Sequence, residues 1–285
     1  MQFTITKDEA AIMHPVPLFV KGRILDNLEA VRGHFLLRMM LPPAFHHPVP
    51  GQFIMIRVTE SQTPLLARPM SIYAFEKGVG QSVLEIFYRV AGAGTRILSG
   101  LKPGGELSLL GPLGNGFSWN QTARRAILIA GGIGISPLTF LAASLSPIRE
   151  PFPIEMTAYV GAQRQEVLAG LDRLSAVCPD IRICTDDGSM GYHGRVTELF
   201  ERELDAFDPQ GCAVYACGPR AMMKRLAELL EHYPLPCQVS VEERMACGLG
   251  ACLGCAVAVR TAGGDVAFMR ACKDGPVFDI RRIDW

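Results

Sequence analysis

Four cysteines near the C-terminus constrain this chain more than any other feature. Cys247-x4-Cys252-x2-Cys255-x16-Cys272 is the ligand spacing of a plant-type 2Fe-2S cluster. A loop wrapped that closely around sulfur needs small residues, and Gly248, Gly250 and Gly254 let backbone amides approach without side-chain obstruction. A four-cysteine zinc site competes with this reading. Zinc loops more often use two CxxC pairs, and here only Cys252–Cys255 makes one. All nine cysteines lie at or beyond Cys178, unlike a disulfide framework. Thiolate ligands suit a reducing compartment, so a cytoplasmic protein is expected. The opening MQFTITKDEA carries acidic residues and no continuous apolar core, unlike a secretory signal.

The stretch Ala126–Ile148 has no charged residue and meets the length criterion for a membrane helix. Gly131, Gly132, Gly134, Ser136 and Pro137 interrupt it, so it reads as strand, glycine turn and helix, with no membrane span. The 28 basic and 28 acidic residues balance, leaving no basic stripe for nucleic acid. GQFIMIRV, SVLEIFYRV and ELSLLG are short β-like runs between turn residues, which predicts an antiparallel β-barrel over 18–118. From Trp119 the texture changes. The strand candidates AILIA, MTAYVGA, IRICTDD and CAVYACG alternate with the helical candidates VLAGLDRLSAV, VTELFEREL and RAMMKRLAELLEHY. That alternation predicts an α/β doubly wound nucleotide domain over 119–235. Residues 236–285 are expected to form a small cluster domain, and residues before Pro17 an arm or extra strand.

Arg68-Pro69-Met70-Ser71 precedes the strand-like SIYAF. Phe87-Tyr88-Arg89 ends another strand, and Gly92-x-Gly94-Thr95 opens a helix, which places amides and a hydroxyl at a helix N-terminus. Gly94-Thr95 reads equally as a simple helix cap. In this order the segments resemble the RPxS signature region of the ferredoxin-reductase flavoprotein superfamily. That resemblance implies FAD, with the Arg68 guanidinium on its pyrophosphate and Ser71 near the flavin N5.

Ile129-Ala130-Gly131-Gly132-Ile133-Gly134-Ile135-Ser136-Pro137 is not the GxGxxG dinucleotide fingerprint. It resembles the GGxGxxP loop of the same superfamily, in which the backbone and a helix N-terminus meet the nucleotide. Cys217-Gly218-Pro219 resembles that superfamily's landmark beside the nicotinamide; a buried strand-end cysteine is the plainer reading of Cys217. Asp186 and Asp187 end a strand, where a carboxylate either accepts from a ribose hydroxyl or caps a turn. The ribose reading favours NAD over NADP.

The phrases KPGGELSLLGPLGNGF, TDDGSMGYHGRVTELF, VEERMACGLGACLGCAV and ACKDGPVF resemble the electron-transfer subunits of dihydroorotate dehydrogenase B, from Lys21 onward. The resemblance implies an FMN-containing catalytic subunit as partner in a heterotetramer, and electrons passing from FMN through the 2Fe-2S cluster and FAD to NAD. It implies no catalytic base for dihydroorotate in this chain. NAD(P)H:ferredoxin and hydrogenase-linked oxidoreductase subunits share the same loops. Stand-alone monooxygenase reductases carry a whole β-grasp ferredoxin domain, for which the segment after Pro236 is too short. An apolar stretch, Pro276–Phe278, is expected beside the cluster at the partner-facing surface, rimmed by Arg270, Lys273 and Arg281. The plainer alternative packs Val277 and Phe278 onto the nucleotide domain.

Overall fold

The computed structural model describes residues 16–59, 64–120, 122–146 and 154–285. The arm expected before Pro17 lies almost wholly outside them. The first part of the chain forms one curled antiparallel sheet: β1 (Leu18–Val31), β2 (His34–Leu41), β3 (Phe53–Arg57), β4 (Arg68–Ser71), β5 (Ala74–Lys77), β6 (Ser82–Arg89) and β7 (Glu106–Leu113), in the order β4-β3-β7-β1-β2-β6-β5. One crossing segment draws its two ends together. β4 pairs with β3 and β5 with β6, and between them the Ile72 amide donates to Gln52 (3.2 Å) and the Tyr73 amide to Glu85 (2.9 Å). Ile54, Ile56, Leu84, Ile86, Leu107 and Leu109 fill the interior. Helix α1 (Ala93–Gly100) follows β6.

The long β1–β2 hairpin escapes the sequence pattern, because β1 alternates buried Gly22 and Ile24 with exposed Lys21 and Arg23 and then runs into Asp26, Asn27 and Glu29. Its register shifts after Ile24, which breaks the period of two on which strand recognition depends.

The second sheet contains β8 (Arg125–Gly131), β9 (Glu155–Ala162), β10 (Asp180–Thr185), β11 (Tyr192–His193), β12 (Cys212–Cys217), β13 (Cys237–Ser240) and β16 (Val277–Asp279), ordered β11-β10-β9-β8-β12-β13-β16. All its pairings are parallel except that of β16 with β13. In β8, Ile127 and Ile129 enter one core while Ala126, Leu128 and Ala130 enter another. A strand covered on both faces reads as a continuous apolar run. Helices α2 (Ile135–Leu145) and α3 (Leu171–Ser175) cover one face, and α4 (Val196–Glu203) and α5 (Arg220–Leu230) the other. The fold is doubly wound, as expected. Helix α3 is shorter than VLAGLDRLSAV suggests, because Gly170 sits at φ +78° and forces a fresh start there.

The sheet runs past the boundary expected at residue 236. β13 and β16 both belong to it, so the cluster-bearing segment is an insertion between two strands of the nucleotide sheet. That segment carries the hairpin of β14 (Ala256–Arg260) and β15 (Val266–Arg270). Among the described residues no helix is long and apolar enough to cross a membrane.

Candidate functional site

The cysteine loop is folded by left-handed residues. Gly248 (φ +72°), Gly250 (φ +80°) and Leu253 (φ +58°) turn the backbone so that its amides point inward. The amides of Leu249, Gly250, Gly254 and Cys272 donate to the sulfurs of Cys247 (3.4 Å), Cys272 (3.1 Å), Cys252 (3.5 Å) and Cys255 (3.4 Å). Burial opposes ionisation of Cys247, but the amides of Leu249, Cys252 and Ala251 and the Cys252 thiol outweigh it and hold that thiol at about 6. Burial pushes Cys272 up to about 12, with Cys255 beside it adding to the rise.

The thiols influence one another as two pairs, Cys252 acting on Cys247 and Cys255 on Cys272. Among the described residues, no three His, Cys, Asp or Glu side chains converge as a single metal ion would require. Two pairs of thiolates with inward-facing amides fit a two-iron cluster better than one zinc. Cys252 is exposed and Cys255 buried, so the site opens to solvent on one side, flanked by exposed Leu249 and Leu253.

Pro276 and Phe278 are buried and Val277 is half-buried. Val277 and Phe278 pair with β13, so they pack onto the nucleotide sheet and form no surface patch. Arg281 caps α5 by donating to the carbonyls of Leu230 (3.0 Å), Tyr233 (2.7 Å) and Leu235 (3.0 Å). Arg270 is engaged by Asp274 and the Gly250 carbonyl.

At the barrel, the segments singled out around Arg68 and Gly94 come together. A side chain at Gly94 would collide with the Arg68 guanidinium, so the arginine lies directly over the first turn of α1. Its Nη1 donates to Leu66 O (2.7 Å). Thr95 Oγ1 accepts from the amides of Ala91 (2.9 Å) and Gly92 (3.1 Å), which is the capping role. Pro69 and Ser71 lie opposite Met55 and Phe53 in the ladder, while Met70 turns into the barrel interior. Tyr88 also points inward, donating to Asn27 (3.1 Å), and Phe87 faces the nucleotide domain, 5.3 Å from the Tyr73 ring.

Arg89 is exposed and lines a cleft of about 580 Å³ with Arg32, His34, Val90, Arg164, Glu166 and Val167. Burial, then the charge of Arg89, lowers the His34 pKa. The sequence did not single out Arg32, His34, Arg164 or Tyr73, because a lone charge or aromatic ring carries no motif. Arg32, His34 and Arg164 come together where the β1–β2 turn meets the loop after β9, and Tyr73 lies beside Phe87.

The nucleotide loops sit where strand order reverses, between β8 and β12, the expected ligand crevice of an open parallel sheet. Gly131, Gly132 and Gly134 lead from β8 into α2, with Gly132 at φ +52°. A Cβ at Gly134 would collide with the Cys217 carbonyl, and one at Gly131 would come within 2.8 Å of Pro219 and 2.7 Å of Met222. The GGxGxxP loop and Cys217-Gly218-Pro219 therefore form one surface that only glycines permit. Ser136 Oγ is buried there with no hydrogen-bond partner among the described residues, and a nucleotide oxygen would satisfy it. Pro137 is buried as well. Burial, then Glu242, pushes Cys217 up to about 12 against the Ser240 hydrogen bond, so this thiol stays protonated at neutral pH. Asp187 lies exposed beyond β10; its carboxylate accepts from the Ser189 hydroxyl (2.6 Å) and amide (3.0 Å), and those bonds lower its pKa.

Barrel, nucleotide sheet and cysteine loop define a ferredoxin-reductase-like oxidoreductase chain with an iron–sulfur appendage. Residues 128–228 match the oxidoreductase NAD-binding domain model, and 242–284 match the iron–sulfur cluster binding domain of dihydroorotate dehydrogenase B. The electron transfer subunit of dihydroorotate dehydrogenase B (NAD(+)) from Desulforamulus reducens is 40% identical, over 83% of this chain and 87% of its own. The Geobacillus sp. (strain WCH70) subunit of that name is 39% identical over 99% and 97%. The chain belongs to this family of electron transfer subunits. A solved NADH-dependent reduced ferredoxin-NADP oxidoreductase, described for flavin-based electron bifurcation, superposes with a TM-score of 0.77 at 27% identity, covering 93% of this chain and 90% of its own.

Proposed function

We propose that this chain carries electrons from the FMN of a dihydroorotate dehydrogenase catalytic subunit, through a 2Fe-2S cluster and FAD, to NAD+ within a heterotetramer. The observation that carries this reading is one continuous core. Cys255 and Cys272 share it with Phe53, Met55 and Leu113 of the barrel and with Ile127, Val214 and Val239 of the nucleotide sheet, so cluster loop, flavin strand and nucleotide crevice are fixed against each other. When bound, the flavin supplies the conversion between single electrons and a hydride, and the cluster the single-electron relay. The protein's own residues hold and orient. Arg68 and the first turn of α1 would hold the pyrophosphate of FAD, and Pro69 and Ser71 would flank its ring. Gly131, Gly132, Gly134, Ser136 and Pro219 would shape the crevice for NAD, and Asp187 would stand at its ribose end. Cys217 borders the crevice, with burial holding its thiol in the protonated form.

The test is to combine the chain with a cognate FMN subunit and follow NAD reduction driven by dihydroorotate. Turnover together with a stable complex on sizing chromatography is expected. Turnover with reduced ferredoxin but none with dihydroorotate would move the chain to the ferredoxin-linked reading.

A further inference from the structure

Four consecutive residues of β3, from Phe53 to Ile56, are buried. A strand normally buries every second residue, so both faces of β3 are covered. Ile54 and Ile56 face the barrel interior. Phe53 and Met55 face the opposite way, into the core that holds Cys255 and Cys272.

The cluster loop is seated on Met55. A Cβ at Gly248, the residue after Cys247, would lie 2.7 Å from Met55 Cγ, 3.4 Å from its Sδ and 3.2 Å from Leu113 Cδ1. Met55 is also the ladder partner of Pro69, and Phe53 that of Ser71. Directly opposed residues share a face, with Cβ atoms roughly 4.5–5.5 Å apart. One thioether side chain therefore touches the backbone beside a cluster ligand and flanks the second residue of the flavin motif. It is 3% exposed, so water does not enter the contact, and a flexible thioether fills such an irregular gap closely.

We propose that Met55 is the packed bridge across which single electrons pass between cluster and flavin. The proposal rests on the function given above. In each passage toward NAD+, the reduced cluster loses one electron and the flavin gains it. Met55 itself is neither oxidised nor reduced; it keeps the intervening space filled with van der Waals-packed atoms, across which electronic coupling decays less steeply than across a void. Truncation leaves such a void, because packed cores relax only partly.

The test uses the assembled complex with NADH as reductant, the reverse of the physiological flow. Stopped-flow bleaching of the flavin and freeze-quench EPR of the cluster give the two steps separately. Met55→Ala is expected to slow appearance of the cluster signal several-fold while flavin bleaching keeps its wild-type rate. The EPR line shape of the reduced cluster and the equilibrium potentials of both groups stay unchanged. Met55→Leu, which conserves volume, returns the rate to within about twofold. If the alanine variant loses either cofactor, Met55→Val opens a smaller gap and carries the same comparison. Cluster reduction at the wild-type rate in the truncated variants would overturn the bridge, as would equal slowing of both steps or a shift in either potential. A wild-type complex whose flavin bleaches but whose cluster never reduces would overturn the electron route, and the bridge with it.

Discussion

Arg68 and Gly94 are explicable only as a pair: the guanidinium occupies the space that a side chain at 94 would need. The sequence supplied both residues in the right order, but not the fact that one lies on the other. It left the role of Thr95 open, and the structure turns that hydroxyl to the backbone, so α1 offers a phosphate its amides and the neighbouring arginine. Arg68→Ala removes a charge-assisted hydrogen bond and should weaken FAD binding by roughly 1.5–3 kcal/mol, measured by dialysis titration. Gly94→Ala, which displaces the same guanidinium while keeping its charge, should weaken binding in the same direction. Undiminished FAD affinity in Arg68→Ala would remove the arginine from the pyrophosphate. The four cysteines were legible because coordination fixes their spacing along the chain. Met55 was not, since its importance arises from strands brought together from distant parts of the sequence.

Between elements, the contact from α3 to β6 holds barrel and nucleotide domain in register. Arg173 forms an ion pair with Glu85 and places its guanidinium 5.1 Å from the centre of the Tyr73 ring. Glu85 also pairs with Arg38, its ladder partner on the adjacent strand β2 (3.2 Å). No motif announces such a latch, because a single arginine on a short helix looks like any solvated charge. Arg173 is 44% exposed, so its contribution is modest. Arg173→Ala should cost about 1 kcal/mol in denaturant unfolding. In a double-mutant cycle, Glu85→Gln should give less than the sum of the two single effects when both are changed. Strict additivity would show that the two side chains meet without coupling. β8, β9 and β12 read clearly because burial on both faces makes them apolar throughout. β13 and β16 did not, since Cys237–Ser240 and Val277–Asp279 are short and lie beside the cysteine- and glycine-rich loop that dominated the reading of the tail.

At the scale of the whole molecule, three motif-bearing regions with separate sequence textures share their cores, and the tail is bound into the nucleotide domain at several points. β13 extends the sheet beside β12, β16 covers β13, and Arg281 caps the end of α5. Val239, Phe278, Ile280 and Ile283, each 5% exposed or less, fill the core beneath α4 and α5. Burying a side chain of this kind contributes about 1.5–3 kcal/mol, so losing all four forfeits roughly 6–12 kcal/mol. That is comparable with the whole stability of an ordinary domain, about 5–15 kcal/mol. A chain ending at residue 236, the boundary suggested by composition, would also leave the edge of β12 unpaired. It should therefore be insoluble or melt without a cooperative transition, and full-length protein should lose far-UV dichroism, flavin retention and cluster absorbance in one coincident transition. Chelation of the cluster should lower the melting temperature of the nucleotide domain as well, because the loop it ties together joins β13 to β16. A soluble 1–236 fragment with a sharp melt and intact NADH binding would show instead that the nucleotide domain stands without its last two strands.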